Sequence, residues 1–348
     1  MARIEDVAAH AGVSAGTVSN VLNRPEAVAP ATLKRVRAAI AELGFVPHEA
    51  ARALSAGRSR TVGLVVPDVT NPFFADVARG AEAVADRHDV VVILYNTGAS
   101  PERELRYFGQ LEERRVQGVL VTPVDQQSRH LDELLRRGTP VVLVDRHSAR
   151  RDVCSVAVDD VWGGRLAAEH LVEQGHRRLA FVGGPLVVPQ VTDRLAGARE
   201  VADETGTAVE VIETPGLTVA AGRAAGAAIA RRASRTRPTA AFCANDLLAL
   251  GLLQAVTREG LRVPQDVAIV GYDDIDYAAG AAVPLTTVQQ PREELGQVAA
   301  DLLFDSIDFA ERHRHRQVVF QPELVVRESS THARRGSRTA RRADPPTT

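Results

Sequence analysis

Over the first 45 residues, apolar positions recur at helical spacing. Ile4, Val7, Ala8 and Ala11 form one short stripe, so a helix is expected over 4–11, with Gly12 as its stop. Ser14 is suited to cap a second helix running from Ala15 to about Leu22, with Val18, Val21 and Leu22 turned inward. Pro30 can open a third helix that carries Leu33, Val36, Ile40 and Leu43 and ends at Gly44. Two helices joined by a tight Gly-containing turn, with a third behind them, make a helix-turn-helix.

Beyond residue 58 the pattern changes. Continuous apolar runs read as strands: Thr61–Val66, Val90–Tyr95, Gly118–Thr122, Pro140–Asp145, Ser155–Val158, Leu179–Gly183, Val209–Ile212, Ala240–Phe242 and Val267–Gly271. Helical stretches separate them, among them Phe73–His88, Pro101–Arg114, Asp160–Glu173, Asp193–Glu204, Val219–Arg231 and Asp246–Glu259. Strands apolar on both faces and alternating with helices indicate parallel, doubly wound sheets covered on both sides. Some 270 residues of this pattern exceed one sheet, so two α/β lobes are expected. Ligands of such sheets bind beyond the carboxyl ends of the strands, which places a cleft between the lobes.

Composition narrows the picture. The chain has 348 residues, 45% hydrophobic and 25% charged, an ordinary globular balance. Its apolar runs are far below the roughly 18 residues of a membrane span. The charged start Met1-Ala2-Arg3-Ile4-Glu5-Asp6 has no apolar core, so a secretory signal is not expected and the protein reads as cytoplasmic. Cys154 and Cys243 are too few for a disulfide framework, and no Cys/His cluster has zinc spacing along the chain. His313 and His315 sit in a basic run and are expected to be solvated.

Charge is unevenly spread. Residues 1–60 hold eight basic and five acidic groups, residues 331–348 five arginines and one aspartate, and the stretch between them carries a net −9. A basic end on an acidic body fits a polyanion-binding head. The tail over 331–348 has no hydrophobic period and no leucine heptads, so it reads as disordered and gives no support for a tetramerisation coil.

The segments Ile4-Glu5-Asp6-Val7-Ala8-Ala9-His10-Ala11-Gly12-Val13-Ser14, Thr17-Val18-Ser19-Asn20-Val21-Leu22-Asn23 and Ala41-Glu42-Leu43-Gly44-Phe45-Val46-Pro47 resemble the DNA-binding head of the LacI (lactose repressor) family. The likeness continues through Pro67-Asp-Val-Thr-Asn-Pro-Phe-Phe74, Asp145-Arg146, Val158-Asp-Asp160, Arg194-Leu-Ala-Gly197, Ala244-Asn-Asp246, Gly271-Tyr-Asp-Asp274 and Leu285-Thr-Thr-Val-Gln-Gln290, in a core similar to periplasmic sugar-binding proteins. The implied organisation is a helix-turn-helix head over 1–46, a hinge helix or linker over 47–59, and a two-lobed effector-binding and dimerisation core over 60–330. Crossovers are expected near 158, 289 and 321.

The resemblance also implies roles. Ala15, Gly16 and Asn20 take the base-reading positions in the major groove, while Ser14, Thr17 and Ser19 take phosphate or capping positions. Asn20 can pair bidentately with adenine, and Ala15 offers only a methyl. The family commonly has arginine at the position of Asn20 and larger polar groups at Ala15 and Gly16, so direct readout is expected to be sparse. The segment His48–Gly57 is too short to hold a helix alone in water. In the family it folds as a hinge helix whose leucine wedges into the minor groove; Leu54 occupies that place, with Ala51 beside it, and His48 stands where asparagine is usual. In the core, Arg194, Asn245 and Asp273 match effector-binding positions, with Asn71, Phe73, Phe74 and Asp145 as first-lobe candidates. A five-donor guanidinium beside Asn and Asp acceptors suits vicinal hydroxyls or a polar ring. Leu217 stands where some relatives stack an aromatic on the effector, which leaves the ligand class open.

The implied function is a homodimeric regulator, a repressor foremost, that binds a pseudo-palindromic double-stranded operator under control of a small polar effector such as a sugar. Inducer and corepressor remain equally open. A solute-binding protein without a transcriptional role is the alternative, and the head argues against it. Neither membrane association nor a cofactor is expected. An enzyme is not expected either: there is no G-x-x-x-x-G-K-[ST] phosphate loop, and the histidines are not read as metal-spaced. Turn and cleft roles account for Gly183-Gly184 and for the acidic pairs Asp159-Asp160 and Asp273-Asp274.

Overall fold

The computed structural model describes residues 2–46, 59–124, 129–148 and 150–331. The head is formed by α1 (Ile4–Ala11), α2 (Ala15–Asn23) and α3 (Pro30–Leu43), with a single 3-10 turn over Pro25–Ala27. Gly12 takes a left-handed φ of 63° and returns its N–H to Ala8 and Ala9, which closes α1. The Thr17 N–H then donates to the Ser14 hydroxyl at 3.1 Å, which starts α2. Val7, Ala8, Ala11, Val18, Val21, Val36, Ala39 and Phe45 form the head's own core.

Two six-stranded sheets make up the body. The first has the order β11 (Gln317–Phe320), β5 (Cys154–Val158), β4 (Val141–Val144), β3 (Val119–Val121), β1 (Thr61–Val66), β2 (Val91–Asn96), all parallel. The second has the order β12 (Glu323–Val325), β10 (Thr286–Gln289), β9 (Ala268–Asp273), β8 (Ala240–Cys243), β6 (Arg178–Gly183), β7 (Ala208–Glu213); it is parallel except for β12 against β10. The chain passes between sheets after β5, after β10 and after β11. The Arg292–Asp308 helix therefore follows a second-lobe strand yet buries Leu295, Ala299, Leu303 and Phe304 in the first-lobe core.

Three helix pairs cross at reciprocal glycines. Gly80 and Gly296 join Pro72–Ala85 to Arg292–Asp308; Gly164 and Gly197 join Asp160–Glu173 to Pro189–Thr205; Gly222 and Gly251 join Val219–Ala230 to Asp246–Arg258. At each, a Cβ would meet backbone of the facing helix; at Gly197 it would strike the Val161 carbonyl. The facing backbone cannot yield without separating the helices. Gly197→Ala is thus expected to cost about 1–3 kcal/mol or more through overpacking, read as a lower midpoint in chemical denaturation. An unchanged midpoint would show that the crossing is looser than this.

Some expectations need correction. The helix expected over Asp193–Glu204 begins four residues earlier, at Pro189, whose fixed φ suits the first turn. His313 does not share the solvated fate expected of its basic run, whereas His315 is exposed. The His313 side chain is 4% exposed, because β11 pairs with β5 and lays the preceding segment against Cys154. Among the described residues, no helix is long and apolar enough to cross a membrane.

Candidate functional site: the helical head and the interlobe cleft

On α2, the residues expected to meet DNA separate into two groups. Gly16 and Asn20 are exposed, as is Ser14 at the cap. Ala15 is half-buried and packs on the head core. The Thr17 and Ser14 hydroxyls lie 3.0 Å apart, and the Asn23 amide donates to the Ser19 hydroxyl at 3.2 Å. These contacts fix the entry of α2 and leave the Asn20 amide on its outer surface. His48, Ala51 and Leu54 lie outside the described residues, as does the tail beyond Thr331.

Across the body, strand ends bring most of the predicted effector residues together. Asp145 follows β4 with φ at 54°, in the left-handed region, and is buried. It faces the second lobe, where the Gln190 amide donates to its carboxylate at 2.7 Å and to its carbonyl at 2.6 Å. Arg194 is 4% exposed. Its Nε donates to Asp160 Oδ1 at 2.8 Å and its Nη1 to the Ala244 carbonyl at 2.6 Å; Nη1 also lies 3.9 Å from Asp273 Oδ1. The guanidinium rests on the Tyr272 ring, 3.6 Å from its centroid. Asp273 follows on β9 with φ at 105° and accepts from the Gln290 amide at 2.7 Å. Asn245 is buried; its Oδ1 accepts from the Leu248 N–H at 3.0 Å, and its Nδ2 donates to the Leu217 carbonyl at 3.2 Å.

The remaining candidates stand apart from this cluster. Asn71 caps the Pro72–Ala85 helix, its Oδ1 accepting from the Phe73 N–H at 3.1 Å. Phe73 and Phe74 form an edge-to-face pair 5.0 Å apart within the first-lobe core. Leu217 packs against the second-lobe core. Asp246, the first residue of the Asp246–Arg258 helix, is fully buried and accepts from the Ile275 N–H at 2.9 Å and the Thr287 hydroxyl at 2.7 Å.

Four residues of the cluster carry no periodic signal in the sequence: Arg146, Asp160, Gln190 and Gln290. Arg146 and Asp160 lie inside quoted family segments, and Gln290 ends one. Gln190 is marked only by being an amide in the first turn of a helix after a strand. The cleft therefore sets the carboxyl groups of Asp145, Asp160 and Asp273, with Asp246 behind them, against the guanidiniums of Arg146 and Arg194. Burial, then the neighbouring Asp160, pushes Asp145 up to about 7; Arg146 and Arg194 pull the other way. Burial raises Asp273 to about 6 against the pull of Arg194 and the Gln290 hydrogen bond. Burial works against the charge of Arg194, but Asp160 and the other acidic groups around it outweigh that and raise its pKa. Asp145 Oδ1, Arg146 Nε, Gln190 Oε1 and Gln290 Oε1 are buried without a hydrogen-bond partner among the described residues, the condition of groups that a polar ligand would satisfy.

Known proteins share this architecture. The bacterial regulatory proteins, lacI family, match residues 3–48, and the periplasmic binding protein-like domain matches residues 168–330. The HTH-type transcriptional repressor PurR of Photobacterium profundum is 35% identical over 94% of this chain and 98% of its own length. A lac repressor dimer bound to operator and the anti-inducer ONPF superposes with a TM-score of 0.81 at 28% identity, covering 95% of this chain and 99% of that one. The transcriptional regulator CelR in complex with cellobiose gives 0.69 at 34% identity, covering 94% and 100%. With a lacI-type head, a periplasmic-binding-protein-like core and curated relatives that are repressors rather than enzymes, this chain belongs to the LacI family of DNA-binding transcriptional regulators.

Proposed function

We propose that this regulator is a repressor whose operator affinity is set by a small polyhydroxylated effector, a sugar foremost, bound between the lobes. The observation that carries this reading is the set of buried, unpartnered polar atoms on Asp145, Arg146, Gln190 and Gln290 around the Asp145–Gln190 contact that joins the two lobes. Acceptors outnumber donors there, which suits a ligand rich in hydroxyl donors. The cellobiose carried by the related CelR structure supports the same chemistry. An effector that holds the lobes at one angle biases whether two hinge segments of a dimer can pair on DNA, provided it binds one state more tightly than the other.

On the DNA side, the exposed Asn20 amide of α2 is the base-reading group. Asn20→Ala is expected to weaken binding to the best operator by about 1–3 kcal/mol and to leave binding to random DNA almost unchanged; equal losses on both would remove the base-reading role. The function as a whole is tested by selecting bound sequences from random duplex DNA, then titrating the enriched site with cellobiose and with simple sugars. An enriched palindrome whose occupancy shifts with one sugar is the expected result. Enrichment that no polyhydroxylated ligand shifts would overturn the effector class, and weak, salt-sensitive binding without enrichment would overturn the operator reading.

A further inference from the structure

We propose that Cys154, His313 and His315 form a site for a borderline transition-metal ion of the zinc class, at the amino end of β5 on the first lobe rather than at the carboxyl ends of the strands that carry the cleft's ligand groups. The proposal does not rest on the effector reading. Cys154 is buried on β5. Its sulfur lies 3.2 Å from His313 Nε2 and 3.6 Å from His315 Nδ1, and the three donor atoms all fall within 4.8 Å of one another. A tetrahedral zinc centre with bonds of about 2.3 Å to sulfur and about 2.0–2.1 Å to nitrogen sets sulfur and nitrogen about 3.6 Å apart. The donors already stand at nearly that separation.

The surroundings suit a metal as well. His313 Nδ1 meets the Asp305 carboxylate at 2.8 Å, which places the proton on Nδ1 and turns the Nε2 lone pair toward the sulfur. A carboxylate behind a histidine is the usual support of a metal-binding imidazole. The Arg316 N–H donates to the sulfur at 3.3 Å, as is favourable for a thiolate. The Arg316 guanidinium is drawn aside onto Asp305 at 3.4 Å. His313 is shielded while His315 is exposed and borders a cavity of about 590 Å³ that also meets Asp132, Arg150, Asp152 and Ser306. Three protein ligands with one side open leave a fourth position for water or a small ligand. One thiolate with two imidazoles selects zinc or its relatives over magnesium and calcium, which prefer oxygen. Sequence spacing conceals the site because Cys154 and the His-x-His pair are far apart in the chain and meet only through β5–β11 pairing.

The test uses the full-length, tag-free, reduced protein after treatment with a chelator. Titration with Co²⁺ is expected to give one equivalent of binding with a thiolate-to-cobalt charge-transfer band, displaced by Zn²⁺ and untouched by Mg²⁺. Cys154→Ser is expected to abolish the band. His315→Ala, an exposed position that the fold does not depend on, is expected to weaken binding at least tenfold. Asp305→Asn is expected to weaken it about 10–100-fold through the orientation of His313. Absence of the band in the folded wild-type chain, or binding that survives both Cys154→Ser and His315→Ala, would overturn the proposal.

Discussion

Arg194→Met is expected to cost about 3–5 kcal/mol of stability, the range for removing one partner of a buried ion pair. Methionine keeps most of the side-chain volume, so the loss isolates charge and hydrogen bonding from cavity formation. The guanidinium now serves Asp160, the Ala244 carbonyl and Asp273 at once, and stacks on Tyr272. Without it, the buried carboxyl groups of Asp160 and Asp273 lose the cation that contacts both of them; of the remaining cations, Arg146 itself serves the Asp145 and Pro123 carbonyls and Arg292 acts on Asp273 alone. Arg194→Lys is not expected to restore stability, because an ammonium lacks the planar fork and the flat stacking face. Addition of Asp160→Asn to Arg194→Met is expected to return part of the loss, since it removes one of the stranded charges. Denaturant midpoints of the four proteins check this. A loss below about 1 kcal/mol for the methionine variant would mean that the pair is solvated, and the cleft floor would then be open rather than closed.

The same residues show how far the chain could be read before it was folded. The alternation of Val-rich runs with helical stripes reveals two doubly wound layers, because both faces of a parallel strand must be covered and the sequence records that burial locally. The last third is less legible. β12 is three residues long and half-exposed, and the Arg292–Asp308 helix is assigned to the first lobe only by its packing against Pro72–Ala85 and the strands of the first sheet. In the cleft, Asp145, Asn245 and Asp273 are visible through their place at strand ends, and all three, with the helical Arg194, through their likeness to family segments. Gln190 is not, since a neutral amide in a helical turn leaves no periodic trace, although it makes the hydrogen bonds that join Asp145 to the second lobe. Asn71 illustrates the converse: its cap on the Phe73 N–H is a local role that any helix start can require. The Cys154–His313–His315 cluster defeats spacing rules because strand pairing, not local sequence, creates it.

Protonation of Asp145 makes the closed cleft sensitive to pH in a direction that can be worked out. In the unfolded chain its carboxyl group titrates at about 3.9; in the folded protein burial and Asp160 hold it at about 7. Between those values the native state keeps a proton that the unfolded chain has lost. Stability is therefore fully present below about pH 4 and falls as pH rises through about 7, by at most about 1.4 kcal/mol per pH unit for this one group. Asp273, raised to about 6, adds a loss of the same sign that ends earlier. Asp145→Asn is expected to flatten the segment between about pH 6 and pH 7 and to roughly halve the slope between about pH 4 and pH 6, where Asp273 alone still contributes; the asparagine oxygen can still accept from Gln190. Denaturant midpoints at fixed ionic strength across this range check it, and an unchanged slope in the variant would sink the assignment. A ligand hydroxyl donating to Asp145 Oδ1, which has no partner among the described residues, would stabilise the carboxylate and draw its pKa down. Effector affinity is then expected to rise toward pH 7 while the free core weakens, and that opposition between binding and stability distinguishes a ligand-receiving carboxylate from one that is merely buried.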